Sequence, residues 1–176
     1  MKVRGRMDHV VGSVKARIAG SAAIGRFKVL AAFGGAAVFD QETGLVWEKS
    51  PSTTKTPWSP YAPGAATAHV ACDTKVVGNR LGWRLPTIQE LASLLVPTQF
   101  RPPLPAGHPF VLTADQDIGQ FWSATTAATD VDTPNSAWFV DFYTVDPSSF
   151  VLFGAGDKTT FRYAWCVRSG QGVDPQ

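Results

Sequence analysis

The chain contains a ten-residue stretch that decides its local architecture, Gly82-Trp83-Arg84-Leu85-Pro86-Thr87-Ile88-Gln89-Glu90-Leu91. Thr87 and Glu90 have the Thr-x-x-Glu spacing of a capping box, in which each side chain accepts a hydrogen bond from the backbone N–H of the other residue. Pro86 ends an extended segment, so the first helical residue is expected at Ile88. The stretch therefore predicts a strand end, a turn and a capped helix start.

The residues around this stretch have predicted structural roles. The helix is expected to bury Leu91, Leu94 and Leu95, and Pro97 prevents it from continuing much further. Arg84 is expected to lie half buried against a carboxylate or backbone carbonyls, where it would hold the turn.

The composition favours short elements. The 176 residues include 13 prolines and 16 glycines, which divide the chain into segments too short for a helical bundle. Runs rich in Val, Phe and Trp are typical of β-strands. We predict one α+β domain of short antiparallel strands with two helices and long loops. The predicted strands are residues 26–30, 36–39, 45–48, 121–125, 137–142, 150–153 and 162–167, and the predicted helices are residues 65–72 and 88–95.

Short strings follow one another in the order found in one bacterial family. They are Asp40-Gln41-Glu42-Thr43-Gly44-Leu45-Val46-Trp47, Cys72 on an Ala-rich segment, Trp83-Arg84-Leu85-Pro86-Thr87, Phe121-Trp122-Ser123-Ala124-Thr125, Ala137-Trp138-Phe139-Val140-Asp141-Phe142 and Trp165-Cys166-Val167-Arg168. On these strings the chain resembles the Lcl C-terminal-domain-like proteins. The resemblance implies a C-type-lectin-like fold, distantly related to the scaffold of formylglycine-generating enzymes. We accordingly divide the chain into an arm at residues 1–25, a domain at 26–170 and a tail at 171–176.

The resemblance also implies a disulfide between Cys72 and Cys166, which occupy the positions of the family's paired cysteines. Such a bond predicts an extracytoplasmic location, in the periplasm, at the cell surface or in the medium. Two alternatives stay open. His69 lies one helical turn from Cys72, so the two could act as a base and its nucleophile, or both thiols could be free and buried in the cytosol.

Charge is unevenly distributed along the chain. Residues 1–35 contain seven basic side chains and one acidic, 7 − 1 = +6, and the remainder contains nine basic and thirteen acidic, 9 − 13 = −4. The remainder therefore offers no basic patch, and no nucleic-acid partner is predicted for it. The arm has a narrow apolar face at helical spacing, which favours a membrane-surface or partner-binding helix, while its glycines favour a disordered arm. That face consists of Val10, Val11, Val14 and Ile18.

The sequence contains no clear signal peptide, because no unbroken apolar region lies between the N-terminal charges and a small-residue cleavage site. It also contains no run of roughly eighteen apolar residues, so no transmembrane segment is predicted. An extracytoplasmic location would therefore require another export route or a different leader.

Catalysis is not predicted. Assigning both cysteines to one pair leaves none for the thiol or copper chemistry of formylglycine-generating enzymes. His9, His69 and His108 are scattered without the spacing of metal ligands. We therefore predict a non-enzyme without a cofactor.

One loop contains oxygen ligands of the kind that calcium uses. Asp130, Asp132 and Asn135 lie close together before Trp138 and are weak calcium candidates. The competing interpretation is a solvated turn, because Asp and Asn are common turn residues. The same interpretation applies to Asp115 and Asp117.

Aromatic and basic side chains supply the candidate ligand contacts. The tryptophans within the family strings are predicted core residues, namely Trp47, Trp83, Trp122, Trp138 and Trp165. The loop aromatics could stack on sugar rings or protein partners, or pack beneath their own loops; they are Trp58, Tyr61, Phe110 and Tyr143. The candidate contacts to anionic groups are Arg80, Arg101, Lys158 and Arg162.

Two functions are compatible with these features. The first is a non-catalytic recognition or adhesion module that binds glycan or protein at a surface. The alternative is a structural subunit of a bacterial surface oligomer or filament, in which the basic arm of one chain docks on the acidic domain of another. The resemblance to the terminal domain of a collagen-like adhesin favours the first. The sulfated polysaccharide that this adhesin recognises is a poor fit to a segment with a net charge of −4.

Overall fold

The computed structural model describes residues 25–59, 66–96, 98–99, 102–117, 119–128, 135–142 and 153–169. The predictions that lie outside these ranges concern the arm up to residue 24, the tail, the ligand candidates Tyr61, Arg101 and Tyr143, and the calcium candidates Asp130 and Asp132. The division into arm, domain and tail stays a prediction.

Within the described ranges, short strands form two antiparallel sheets, and two helices of six residues each lie between long loops. This arrangement confirms the predicted α+β class. The C-type-lectin-like fold remains what the resemblance implies. In the part of the chain that the structure describes, no helix is long and apolar enough to cross a membrane.

The first sheet joins the start of the described chain to its end. It has the order β1-β2-β3-β7, with β1 at Phe27–Val29, β2 at Ala37–Asp40, β3 at Leu45–Glu48 and β7 at Val167–Ser169. The turn between β2 and β3 depends on Asp40, whose carboxylate accepts hydrogen bonds from Thr43 Oγ1 at 2.9 Å and from the Glu42 N–H at 3.1 Å. Gly44 completes this turn with a φ of +70°, which glycine adopts without steric cost.

The second sheet has the order β4-β5-β6, with β4 at Gln120–Ala127, β5 at Ser136–Asp141 and β6 at Phe153–Asp157. Gln120 lies directly opposite Asp141 in the register of β4 and β5. Residues in such a pair project to the same face of a sheet, so a polar pair forms at one end of this sheet.

Strand β6 extends further than the sequence indicates. The sequence predicted a strand at residues 150–153, of which residues 150–152 lie outside the described ranges, and the observed strand continues from Phe153 to Asp157. A Cβ atom on Gly154 would lie 2.4 Å from Cζ of Phe139, and one on Gly156 would lie 2.5 Å from Nη2 of Arg162. The two glycines therefore make room for side chains that cross the strand.

The prediction of a last strand at residues 162–167 was wrong in its position. Arg162 forms an isolated bridge with Thr56, and Tyr163 forms another with Phe121. Because consecutive residues pair with different segments, no continuous ladder forms before β7 begins at Val167.

The predicted capping box is present at the start of α2 (Ile88–Ser93), the second helix. The Glu90 N–H donates to Thr87 Oγ1 at 3.2 Å, and the Thr87 N–H donates to Glu90 Oε2 at 2.8 Å. Arg84 holds the same carboxylate from the other side through Nη1 at 2.8 Å and Nη2 at 2.6 Å. The hydrogen bonds from Arg84 lower the pKa of Glu90. Pro86 is buried beneath this turn.

Helix α1 (Ala68–Asp73) begins later than predicted. Thr67 caps it by accepting a hydrogen bond from the Val70 N–H at 3.2 Å. In α2 and the residues after it, Leu91 and Leu94 are fully buried, as expected. Leu95 is only partly buried and packs against the edge of the core.

The core contains four of the tryptophans that the sequence assigned to it. Trp47, Trp83, Trp122 and Trp165 are at most 2% exposed. The assignment of Trp138 to the core was wrong. It is only partly buried because it points away from its buried neighbours Ala137 and Phe139, as alternation along a strand requires. The loop residue Phe110 is buried and packs edge-on to Trp165 at 4.9 Å between ring centroids.

The Cys72–Cys166 disulfide is present and joins α1 to the residue before β7, with the two Cα atoms 5.4 Å apart. The interpretations as a catalytic nucleophile or as free thiols were therefore wrong. Beside the bond, the buried Glu48 carboxylate accepts a hydrogen bond from the Cys166 N–H at 2.9 Å and forms an ion pair with Lys75. Burial raises the pKa of Glu48 despite this pairing.

Candidate functional site

A polar cleft lies at the end of the second sheet where Gln120 and Asp141 are paired. Its volume is about 530 Å³. We call it the Arg162 cleft, and its lining residues are Lys55, Asp115, Gly119, Gln120, Asp141, Phe161 and Arg162. The cleft thus brings together cationic, anionic, amide and aromatic side chains.

Arg162 is held rigidly in the wall of this cleft. Its guanidinium carbon lies 4.2 Å from the ring centroid of Trp122 and 4.1 Å from that of Phe139. Such contacts between a cation and aromatic faces are favourable, and Gly156 provides the space for them. The side chain is 9% exposed, and burial lowers the pKa of its guanidinium, against the opposing effect of nearby carboxylates.

A hydrogen-bonded chain links three residues of the cleft lining. Nε of Arg162 donates to Oε1 of Gln120 at 2.9 Å, and Nε2 of Gln120 donates to Oδ2 of Asp141 at 2.7 Å. Both contacts fix the orientation of the Gln120 amide. Nη1 of Arg162 is buried and has no hydrogen-bond partner among the described residues. The cleft therefore contains polar groups whose orientation is fixed by hydrogen bonds.

Other residues of the cleft lining are more exposed. Phe161 is 51% exposed, and Nζ of Lys55 lies 4.9 Å from the ring centroid of Tyr163. Asp115 is exposed at the rim, in the turn that the sequence predicted. A Cβ on Gly119 would lie 2.7 Å from Cε2 of Tyr163, so the backbone here packs directly on that ring.

Two other predicted ligand residues meet in a separate cluster. Nζ of Lys158 lies 4.5 Å from the ring centroid of Trp58, and Trp58 Nε1 donates to the Ser123 carbonyl at 2.7 Å. His69 packs edge-on to the same indole at 4.5 Å between ring centroids. Burial lowers the pKa of His69, and the positive charge of Lys158 lowers it further. This cluster shares no lining residue with the Arg162 cleft.

The remaining described candidates lie elsewhere. Arg80 lies near Phe33, with its guanidinium carbon 5.6 Å from the ring centroid. The guanidinium carbon of Arg168 lies at the same distance from this ring. Asn135 is exposed, and its carbonyl accepts a hydrogen bond from the Lys158 N–H at 2.9 Å. Among the described residues no group of three or more His, Cys, Asp or Glu side chains could hold a metal ion.

Of the predicted ligand residues that the structure describes, only Arg162 lines the cleft. The others in its lining were not predicted as ligand contacts, namely Lys55, Asp115, Gly119, Gln120, Asp141 and Phe161. One signal was present in the sequence, because Gln120 and Asp141 are polar residues at the ends of two strongly apolar strings. Their pairing depends on the β4–β5 register, which the strings alone do not specify.

The profile of the Lcl C-terminal domain family matches residues 36–168. A search of curated proteins and a search of solved structures each found no match.

Proposed function

Since the chain belongs to the Lcl C-terminal domain family, we propose that it is a non-catalytic, extracytoplasmic recognition module that binds a hydroxyl-rich ligand, most simply a glycan, in the Arg162 cleft. The observation that carries this proposal is the hydrogen-bonded chain of Arg162, Gln120 and Asp141 beside the exposed ring of Phe161.

The chemistry of the cleft suits sugar hydroxyls. Each hydroxyl both donates and accepts, so it needs acceptors such as carboxylates and donors such as amide or ammonium groups within the same site. Asp115 and Asp141 supply acceptors, while Lys55 and Gln120 supply donors. The ring of Phe161 offers an apolar face against which the C–H groups of a sugar can pack.

Rigid side chains favour binding because less conformational entropy is lost when the ligand arrives. Arg162 is fixed by contacts with two aromatic rings, and Gln120 is fixed by hydrogen bonds at both ends of its amide. The side chains of Arg162 and Gln120 are therefore preorganised for binding.

Two further features support this class of function. The chain's two cysteines are paired with each other, so neither is available as a thiol nucleophile. Disulfides persist mainly outside the reducing cytosol, which supports a location in the periplasm, at the surface or in the medium.

The test is a glycan array probed with the oxidised full chain and with two variants, Gln120→Ala and Phe161→Ala. Each variant should weaken binding at least about fivefold, because it removes a hydrogen-bonding or packing group worth about 1 kcal/mol. Leu81→Ala is the matched control, since Leu81 is 63% exposed and does not line the cleft. A blank array, or hits that all three variants retain, would contradict the proposal.

A further inference from the structure

An apolar groove lies between one face of α2 and the second sheet, and it shares no lining residue with the Arg162 cleft. We call it the Trp138 groove. Its volume is about 530 Å³, and its lining residues are Ile88, Gln89, Ala92, Thr125, Trp138 and Phe153. Phe153 is 40% exposed and Trp138 is only partly buried. Clustered exposed apolar side chains of this kind are typical of an interaction surface.

The N-terminal arm joins the domain beside this groove. Nη2 of Arg26 donates to the carbonyl of Ser93 at 2.7 Å, and Ser93 directly follows the groove residue Ala92. The same guanidinium forms an ion pair with the buried Asp40 at 2.7 Å, which fixes this point of the chain. Phe27 packs against the same core cluster as the groove residue Ile88. The arm therefore departs from the domain at the end of α2.

The arm has the reach and the side chains to occupy the groove. Residues 19–24 lie between Ile18 and Gly25, where the described chain begins in helical conformation, and six extended residues would span up to about 20 Å. Helix α2 has six residues and is about 9 Å long. The apolar residues of the arm recur at helical spacing, so one face of a helix would present all of them; they are Val10, Val11, Val14 and Ile18.

Charge favours the same occupant. Residues 1–24 contain five basic side chains and one acidic, 5 − 1 = +4, and residues 25–176 contain eleven basic and thirteen acidic, 11 − 13 = −2. The arm and the domain thus carry opposite net charges, which favours their encounter, while the lining of the groove itself is uncharged.

We propose that residues 10–18 dock as an amphipathic helix in the Trp138 groove of the same molecule. The docked arm covers Phe153 and Trp138 and is protected there from proteases. This inference is independent of the proposed glycan site, because the two surfaces share no lining residue.

The test is limited trypsin digestion of the full chain, followed by mass spectrometry of cleavage after Lys15 and Arg17. Val14→Ser removes an apolar contact of the arm, and Phe153→Ser removes one of the groove. Each variant should speed this cleavage about tenfold, which corresponds to about 1.4 kcal/mol. Val111→Ser is the matched control, because Val111 is 55% exposed and does not line the groove.

Val14→Ser keeps the test decisive if Phe153→Ser fails to fold, because it leaves every described residue of the domain unchanged. Equal cleavage rates in the wild type and in Val14→Ser would overturn the proposal. Protection that rises with protein concentration would also overturn it, since the arm would then dock on another copy of the chain. Protection in the wild type that is independent of concentration and lost in Val14→Ser supports it.

Discussion

Removing the Cys72–Cys166 disulfide should lower the free energy of unfolding by about 4 to 5 kcal/mol. The two cysteines are separated by 94 residues in the sequence. For a loop of that length, the loss of chain entropy in the unfolded state gives about 4.7 kcal/mol at 25 °C. The double variant Cys72→Ala with Cys166→Ala suits this test better than serine variants. Both positions are at most 1% exposed, and a serine hydroxyl buried there without a partner would cost a further 1 to 3 kcal/mol or so.

The assay is urea unfolding of the wild type and of the double variant, each with and without reductant. In air, the wild type should be more stable by the stated amount. Reductant should bring the wild type close to the variant and leave the variant unchanged, because only the wild type has a bond to lose. Equal unfolding midpoints in air would refute the reasoning, as would an equal effect of reductant on both proteins.

Three further perturbations have expected outcomes. Thr87→Ala should lower the free energy of unfolding by about 1 kcal/mol through loss of the helix cap, and an unchanged urea midpoint would contradict this. Glu90→Gln should cost up to about 1 kcal/mol at neutral pH. The pKa of Glu90 is lower in the folded state than its ordinary value of 4.5. The stability lost in the variant should therefore shrink as the pH falls below 4.5 and vanish once the pH is below the pKa of the folded state. Urea unfolding of both proteins at a series of pH values measures this. Arg162→Lys should cost about 2 kcal/mol of stability by the same assay, because an ammonium group cannot contact both Trp122 and Phe139 while it also donates to Gln120; unchanged stability would argue against these contacts.

Local chemistry explains which parts of the fold the sequence could predict. The capping box of Thr87 and Glu90 is a short-range pattern, so the start of α2 followed directly from it. The turn before β3 is equally local, since Asp40 and Gly44 determine it. The disulfide followed from a family resemblance, because no local pattern pairs cysteines that are 94 residues apart.

The candidate site was mostly missed because its residues are brought together by long-range pairing. Gln120 meets Asp141 only through the register of β4 and β5, and Arg162 joins them because the next residue, Tyr163, bridges to Phe121 in β4. Trp138 was assigned to the core from its apolar neighbours, yet strand alternation directs it to the other face of the sheet. For the cleft the missing information was the pairing of the strands, and for Trp138 it was which face the strand presents to the core.

The central claim is that the Arg162 cleft is the ligand site, and the most direct test is a ¹H–¹⁵N NMR titration of the oxidised full chain with the glycan that gives the strongest reproducible array signal. The account predicts saturable shifts of the Gln120 side-chain amide and of the Gly119 backbone amide, with the Trp138 indole N–H unchanged. Shifts centred on the Trp58 indole or on the Trp138 groove, with Gln120 unaffected, would contradict it.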